Sequence, residues 1–265
     1  MTDSSPNAPV LDLFDPETGI GRILFNRPDV LNAINGPTAI AFNAAVKRTL
    51  ARDGLRLVVL AGAGRAFVAG GDIAQFQHTP RKFVTEILGE LHGAVLALAE
   101  HPVPVLAVVQ GPAAGAGLSL VLGADYVVAS DQAQFLIAYD RIGASPDCGS
   151  TWFLERKVGR ARAFELMLMS KVLDAEAAKQ AGVVTEVVKA AELDDRAEAV
   201  ARKIAAGPTH AFGRFKRLIN GALHTPLAQH LDIEGDAFLE GTDTDDFREG
   251  VDAFLNKRPA TFRGR

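Results

Sequence analysis

The stretch from Arg65 to Ile73, RAFVAGGDI, joins an apolar run to a glycine turn that ends in a carboxylate. Gly70 and Gly71 let the main chain turn sharply and approach a bound group with no Cβ in the way. If Asp72 and Ile73 open a helix, the free amides of its first turn point at whatever lies above them, and such amides bind developing negative charge. The plain alternative is a simple strand-to-helix connection. A dinucleotide fingerprint fits less well, because Gly62 and Gly64 are followed by Phe67 where a third small residue should stand. The chain makes the same move again at 111–117, GPAAGAG, which leads from the apolar run Val105 to Val109 into a helix carrying Ser119. Two sets of backbone amides can therefore face one site. Side-chain nucleophiles are less well supported. Ser119 lacks a GxSxG setting and an evident histidine partner. Cys148 has no histidine close in sequence and reads as a packed thiol. The six histidines are scattered with no HExxH or paired spacing, so no metal is expected.

The elements that must hold these turns follow from hydrophobic period and turn chemistry. Val10 to Phe14 and Ile20 to Phe25 read as two strands around Asp15-Pro16-Glu17-Thr18-Gly19, a hairpin. Residues before Val10 are polar and proline-punctuated and read as a disordered lead-in. Asn35 followed by Pro37 reads as an N-cap with proline in the first turn of a helix running to about Arg52. Arg56 to Leu60 is a buried strand, and Phe83, Ile87, Leu91, Val95 and Leu98 recur at helical spacing until His101-Pro102 stops them. Tyr126 to Ser130 and Ala133 to Ile137 read as a strand pair around Asp131-Gln132, and a loop from Gly143 leads into a helix beginning near Thr151. Beyond Gly159 the pattern is mostly helical, apart from a short strand at Val183 to Val188. We therefore expect an α/β core over 1–195 and a helical region over 196–265.

Composition restricts the function classes. A chain of 265 residues with 48% hydrophobic content can bury a sizeable core, and a net charge of −4 without a basic stripe gives no sign of nucleic acid as a partner. No apolar run reaches the roughly 18 residues that span a bilayer, and the N-terminus has no signal-like pattern. With a single cysteine, the expectation is a protein of the cytoplasm, without membrane or disulfide.

The segments NRPDVLNAIN, GAGRAFVAGGDI, VQGPAAGAGLSL, ADYVVASDQAQF, IGASPDCGSTWFLERKVG and EGVDAFLNKRP occur in that order along nearly the whole chain. As an ordered set they resemble the enoyl-CoA hydratase/isomerase (crotonase) family. The resemblance implies a spiral of ββα repeats, a C-terminal helical region that trimerises, and an acyl-CoA thioester as substrate, with no metal or redox cofactor. In the family a thioester carbonyl sits between two backbone amides. The matching positions are Gly71 and Ala116, the latter an alanine where the family usually has glycine. Val30, Ala69, Asp72, Ile73, Ala74, Ser119 and Tyr139 would line the acyl-CoA site, and Phe254 and Lys257 resemble residues that touch the adenine end of coenzyme A.

The family's hydratases use two glutamates, and Ser119 and Tyr139 stand at those positions, so classical water addition is not expected. Asp147, in SPDCGSTW, falls where isomerase members and a dehalogenating member place a catalytic aspartate. Its bland role would be to cap the following helix. The first expectation is isomerisation of an unsaturated acyl-CoA, Asp147 moving a proton while the Gly71 and Ala116 amides hold the thioester oxygen. On that reading Ser119 and Tyr139 only shape the pocket. The alternatives are covalent attack by Asp147, as in dehalogenation or thioester hydrolysis, and a CoA-binding subunit without catalysis. A homotrimer, or a hexamer of paired trimers, is expected.

Overall fold

Strands β1 (Val10–Asp15) and β2 (Ile20–Phe25) form the antiparallel hairpin that the turn cluster between them predicts, with Val10 opposite Phe25 and Asp15 opposite Ile20. The computed structural model describes residues 7–77 and 80–265, so the lead-in expected before Val10 lies, for residues 1–6, outside the described residues. Helix α1 (Gly36–Leu50) starts on the Asn35 cap, whose side chain accepts from the Thr38 amide at 3.0 Å. Next come β3 (Leu57–Gly62), the single turn α2 (Ile73–Phe76), and α3 (Pro80–Glu100). The second unit is β4 (Val105–Val109), β5 (Pro112–Ala114) and α4 (Ala116–Leu122). The third is β6 (Tyr126–Ser130), β7 (Gln134–Leu136) and α5 (Ser150–Val158), followed by α6 (Arg160–Leu168). Then β8 (Leu173–Asp174), α7 (Ala175–Gln180), β9 (Glu186–Val188) and α8 (Leu193–Ala205) complete the core. Helices α9 (Thr209–Ala222), α10 (Leu227–Thr242) and α11 (Asp245–Leu255) end the chain.

Six strands form one sheet in the order β1-β2-β3-β4-β6-β9, parallel throughout except for the first pair. Its central strands are buried on both faces, which is why they read as continuous apolar runs. Alternate residues serve opposite sides. From β3 and β4, Val58, Leu60, Val105, Ala107 and Val109 join Phe42, Val46, Leu91 and Leu98 of α1 and α3 in the larger core. Leu57, Val59, Leu106 and Val108 face the other way, against Leu193, Ala197, Val200, Ala201 and Ala205 of α8. The boundary expected between residues 195 and 196 falls inside α8, and the helix that covers the outer face of the sheet thus belongs to both sides of it.

A second, shorter sheet lies beside the two glycine turns. It comprises β5, β7 and β8, extended by single bridges between Val68 and Ala113 and between Ile34 and Gly71. Each unit thus lays one strand in the large sheet and one in the small, then closes with a helix, and the fold is the expected α/β spiral of ββα repeats. One expectation needs correcting. β6 and β7 are not paired with each other: β6 lies between β4 and β9, and β7 between β5 and β8. The turn at Asp131-Gln132, held by the Ser130 hydroxyl accepting from the Gln132 amide, moves the chain between sheets. β5 reads from sequence as turn because proline and alanine are poor strand formers. Pairing with Phe135 on one side and the bridge to Val68 on the other make it a strand. Among the described residues no helix is long and apolar enough to cross a membrane.

Candidate active site

The two glycine turns lie side by side. Ala114 donates to the Val68 carbonyl at 3.0 Å and Phe67 to that of Pro112 at 3.1 Å, which aligns the segment before Gly70 with the segment before Gly115. Both glycines hold positive φ, +94° at Gly70 and +51° at Gly115, and each is followed by an expected donor, Gly71 or Ala116. Ile34 donates to the Gly70 carbonyl and accepts from the Asp72 amide. Along an extended chain neighbouring N–H groups face opposite edges, so the Gly71 N–H points away from Ile34. The Ala116 N–H opens α4, where no intrahelical acceptor exists. No acceptor among the described residues pairs with either. The positive φ falls on Gly115 and not on Ala116, so an alanine carries this donor without left-handed strain.

Asp147 stands on the loop between β7 and α5. It is not the cap of α5: that position is Gly149, and no side chain caps the helix. Its half-buried carboxylate accepts instead from the Tyr139 hydroxyl, Oη to Oδ1 at 2.5 Å. Burial and the adjoining carboxylate push the Tyr139 phenol far above its ordinary range, so it stays a donor. Cys148 is buried with φ +52°, and burial together with Asp147 pushes its thiol well up. It is therefore a poor nucleophile, as the sequence indicates.

Ser119, expected to line the substrate site, is fully buried. Its Oγ lies 3.2 Å from the Gly115 carbonyl and 3.2 Å from the Asp147 carbonyl. The segment carrying Val30 and the segment carrying Ala69, Asp72, Ile73 and Ala74 do come together, through the Ala69 amide on the Leu31 carbonyl at 3.1 Å, with Val30 and Ile73 about half exposed. Phe254 is 84% exposed and lines a different cavity, of about 470 Å³, with Phe247 and Phe262. Lys257 lies just past the end of α11, exposed and with φ +54°. A larger cavity of about 720 Å³ runs between α3 and α9 past Leu96, Trp152 and Arg214. None of Gly71, Ala116, Tyr139 and Asp147 lines either cavity.

Three residues escaped the sequence reading. Asn32, fully buried with φ +58°, sets Nδ2 within 3.0 Å of the carbonyls of Ala63, Ala66 and Phe67, which share its two hydrogens. Gln110 Nε2 reaches those of Gly62, Gly64 and Ala66. Together they pin the loop that delivers Gly70 and Gly71. The one available signal was an amide side chain inside each glycine-rich motif. His92, exposed on α3, accepts from the Cys148 amide through Nε2 at 3.2 Å. It is 56 positions away in sequence, and no pattern announces it.

The α/β spiral thus presents two glycine turns with open amides, and a carboxylate held by Tyr139 on the loop before α5. The enoyl-CoA hydratase/isomerase family model matches residues 15–265, and the chain belongs to that family. It is 39% identical over 252 residues to a probable enoyl-CoA hydratase of Rhodobacter capsulatus, covering 95% of this chain and 97% of the relative. It is 38% identical to the 1,2-epoxyphenylacetyl-CoA isomerase of Escherichia coli, covering 94% and 97%. The crystal structure of a putative enoyl-CoA hydratase/isomerase from Mycobacterium abscessus superposes with a TM-score of 0.92 at 31% identity, over 97% of this chain and all of that one.

Proposed function

We propose that this chain isomerises an unsaturated or ring-bearing acyl-CoA, with Asp147 as the one acid/base and the amides of Gly71 and Ala116 as the oxyanion hole. Loss of a proton next to a thioester moves charge onto the carbonyl oxygen, and one preorganised donor is worth about 3–4 kcal/mol there. Asp147 takes the proton from one carbon and returns it to another, so nothing is added or released. The observation that carries the reading is Asp147 held by Tyr139 on the site loop, with Ser119 and Tyr139, not glutamates, at the positions where hydratases of the family carry theirs. The likeness to an epoxyphenylacetyl-CoA isomerase supports the class of reaction. Coenzyme A enters only as part of the substrate, and cytoplasmic acyl-CoA fits such a role.

The test is a screen of 2-enoyl, 3-enoyl and ring-bearing CoA thioesters read by mass and absorbance, since isomerisation leaves the mass unchanged and hydration adds water. Asp147→Asn should cost about 10²- to 10⁴-fold in turnover with binding little changed. Near-normal turnover in that variant overturns the reading.

His92 favours a second reading. Its imidazole lies against the Asp147–Cys148 peptide; because Nε2 accepts from the Cys148 amide, it can activate water toward an ester formed on Asp147 only once that hydrogen bond is released. Asp147-dependent solvent deuterium in the acyl chain supports the isomerase; ¹⁸O appearing in the Asp147 carboxylate after turnover in labelled water supports covalent attack.

We also propose a trimer, or a dimer of trimers. Phe215 and Ile219 on α9 and Leu223 just past its end stand at four-residue spacing, and Leu227 and Leu231 lie on α10, all more than half exposed. Such a stripe on one chain marks an interface. A stable monomer in sedimentation at micromolar concentration refutes it.

A further inference from the structure

We propose that Tyr139 and Ser119 form a positioning pair for Asp147, Tyr139 fixing its side chain and Ser119 its main chain, so that one carboxylate oxygen is held at a set place relative to the second oxyanion donor. The proposal rests on the acid/base reading of Asp147 and assigns a task to two hydroxyls that are engaged within the protein.

The geometry is continuous from donor to carboxylate. A Cβ built on Gly115 would lie 4.0 Å from the Tyr139 ring carbon that bears the hydroxyl, so the ring packs against the residue that precedes Ala116. From there the hydroxyl reaches Asp147 Oδ1 at 2.5 Å. The Tyr139 carbonyl accepts from the amides of Ile142 at 3.2 Å and Ala144 at 3.0 Å, which anchors the start of the loop whose far end carries Asp147. Ser119, on the buried helix α4, holds the Asp147 carbonyl at 3.2 Å and lies 3.4 Å from the Tyr139 hydroxyl. A hydroxyl has one proton to give. That of Tyr139 is committed to Asp147, and that of Ser119 has two protein carbonyls at 3.2 Å, so neither is free for a substrate. Oδ1 is taken by the Tyr139 hydroxyl and the buried Cys148 thiol also hydrogen-bonds the carboxylate, so proton transfer uses the lone pairs these two leave. A small displacement of a reacting group costs much of the benefit of prior orientation, and a held first layer depends on the groups behind it. The two positions where hydratases of the family carry carboxylates thus serve, in this chain, the carboxylate at a third.

Tyr139→Phe keeps the ring against Gly115 and deletes the hydroxyl. We expect kcat to fall about 10- to 100-fold, the range of one hydrogen bond to a charged group, with KM within about twofold. In an Asp147→Asn background the same change should alter residual single-turnover rates by no more than about twofold, because the group it positions no longer moves a proton. Ser119→Ala should give a smaller loss, about two- to fivefold, with the same dependence on Asp147. Unchanged oligomeric state, thermal midpoint and affinity for a non-reactive acyl-CoA show that the variants fold. A raised KM with unchanged kcat in Tyr139→Phe, or an equal loss with and without the Asp147 carboxylate, overturns the positioning pair and leaves the acid/base reading standing. Retained turnover in Asp147→Asn alone removes the acid/base reading first, and the pair with it.

Discussion

The two strand–turn–helix junctions use one backbone recipe in two unlike settings. Each places a glycine at positive φ before an N–H that no acceptor among the described residues takes. The second donor opens α4, whose seven residues are all buried, so packing on every side fixes its direction. The first precedes the single turn α2, where Ile73 is 53% exposed and Ala74 and Gln75 are exposed too. Its hold comes from hydrogen bonds: Ile34 on one edge, Asn32 and Gln110 behind the loop. A pair of donors can therefore be built from one part fixed by the core and one tied from outside. Substitutions at the second junction should be felt as stability, and those at the first as activity.

Gly117→Ala should break that contrast if it is wrong, and it carries the largest expected effect. A Cβ there would stand 2.0 Å from the Val68 carbonyl oxygen and 2.8 Å from the Val68 carbonyl carbon, both main chain. That oxygen accepts from the Ala114 amide, so the backbone cannot yield without losing the bridge between the junctions. Overpacking of this kind costs about 1–3 kcal/mol and occasionally more. We expect a clearly lowered thermal midpoint or failure to fold; an unchanged midpoint would show that α4 is not held as described.

At the first junction the sharper probe is Gly71→Pro. Its N–H takes no part in the ladder with Ile34, so proline removes a donor without removing a structural hydrogen bond. Activity should fall about 10²- to 10³-fold in protein that still folds, as for loss of one oxyanion donor. Normal stability with normal turnover would remove Gly71 from the proposed hole.

Which parts were legible in advance follows the same division. The hairpin, the central strands and the long helices announce themselves because apolar period and caps are local signals; Asn35 before Pro37 marked the start of α1, and Val105 to Val109 matched β4 residue for residue. The short sheet was nearly silent. β5 and β8 are three and two residues long and exist through pairing with distant segments, which no local pattern records. The motifs located Gly71, Ala116 and Asp147 by resemblance, whereas the contacts of Ser119, Tyr139 and His92 required three elements to meet in space. Ser119 reads from sequence as a pocket residue by resemblance alone, and the burial of the whole α4 helix was not a signal its motif carried.

The smallest expected effect belongs to Ala116→Gly, and it isolates what the second donor needs. The resemblance sets an alanine against the family's usual glycine, which would matter if residue 116 carried the unusual backbone conformation. It does not: φ is positive at Gly115, and Ala116 is the first helical residue, buried to 6% exposure. An N–H in the same place is the same donor whether the residue bears a methyl or not. Glycine costs up to about 1 kcal/mol against alanine in a helix interior and less at its first turn, so the midpoint should drop by a few degrees at most. Turnover should stay within about twofold of the parent, far inside the loss expected when a donor is removed. A tenfold rise or fall in kcat, with the fold intact, would mean that the methyl touches the acyl group or sets the reach of the amide, and the two junctions would then differ in chemistry as well as in support.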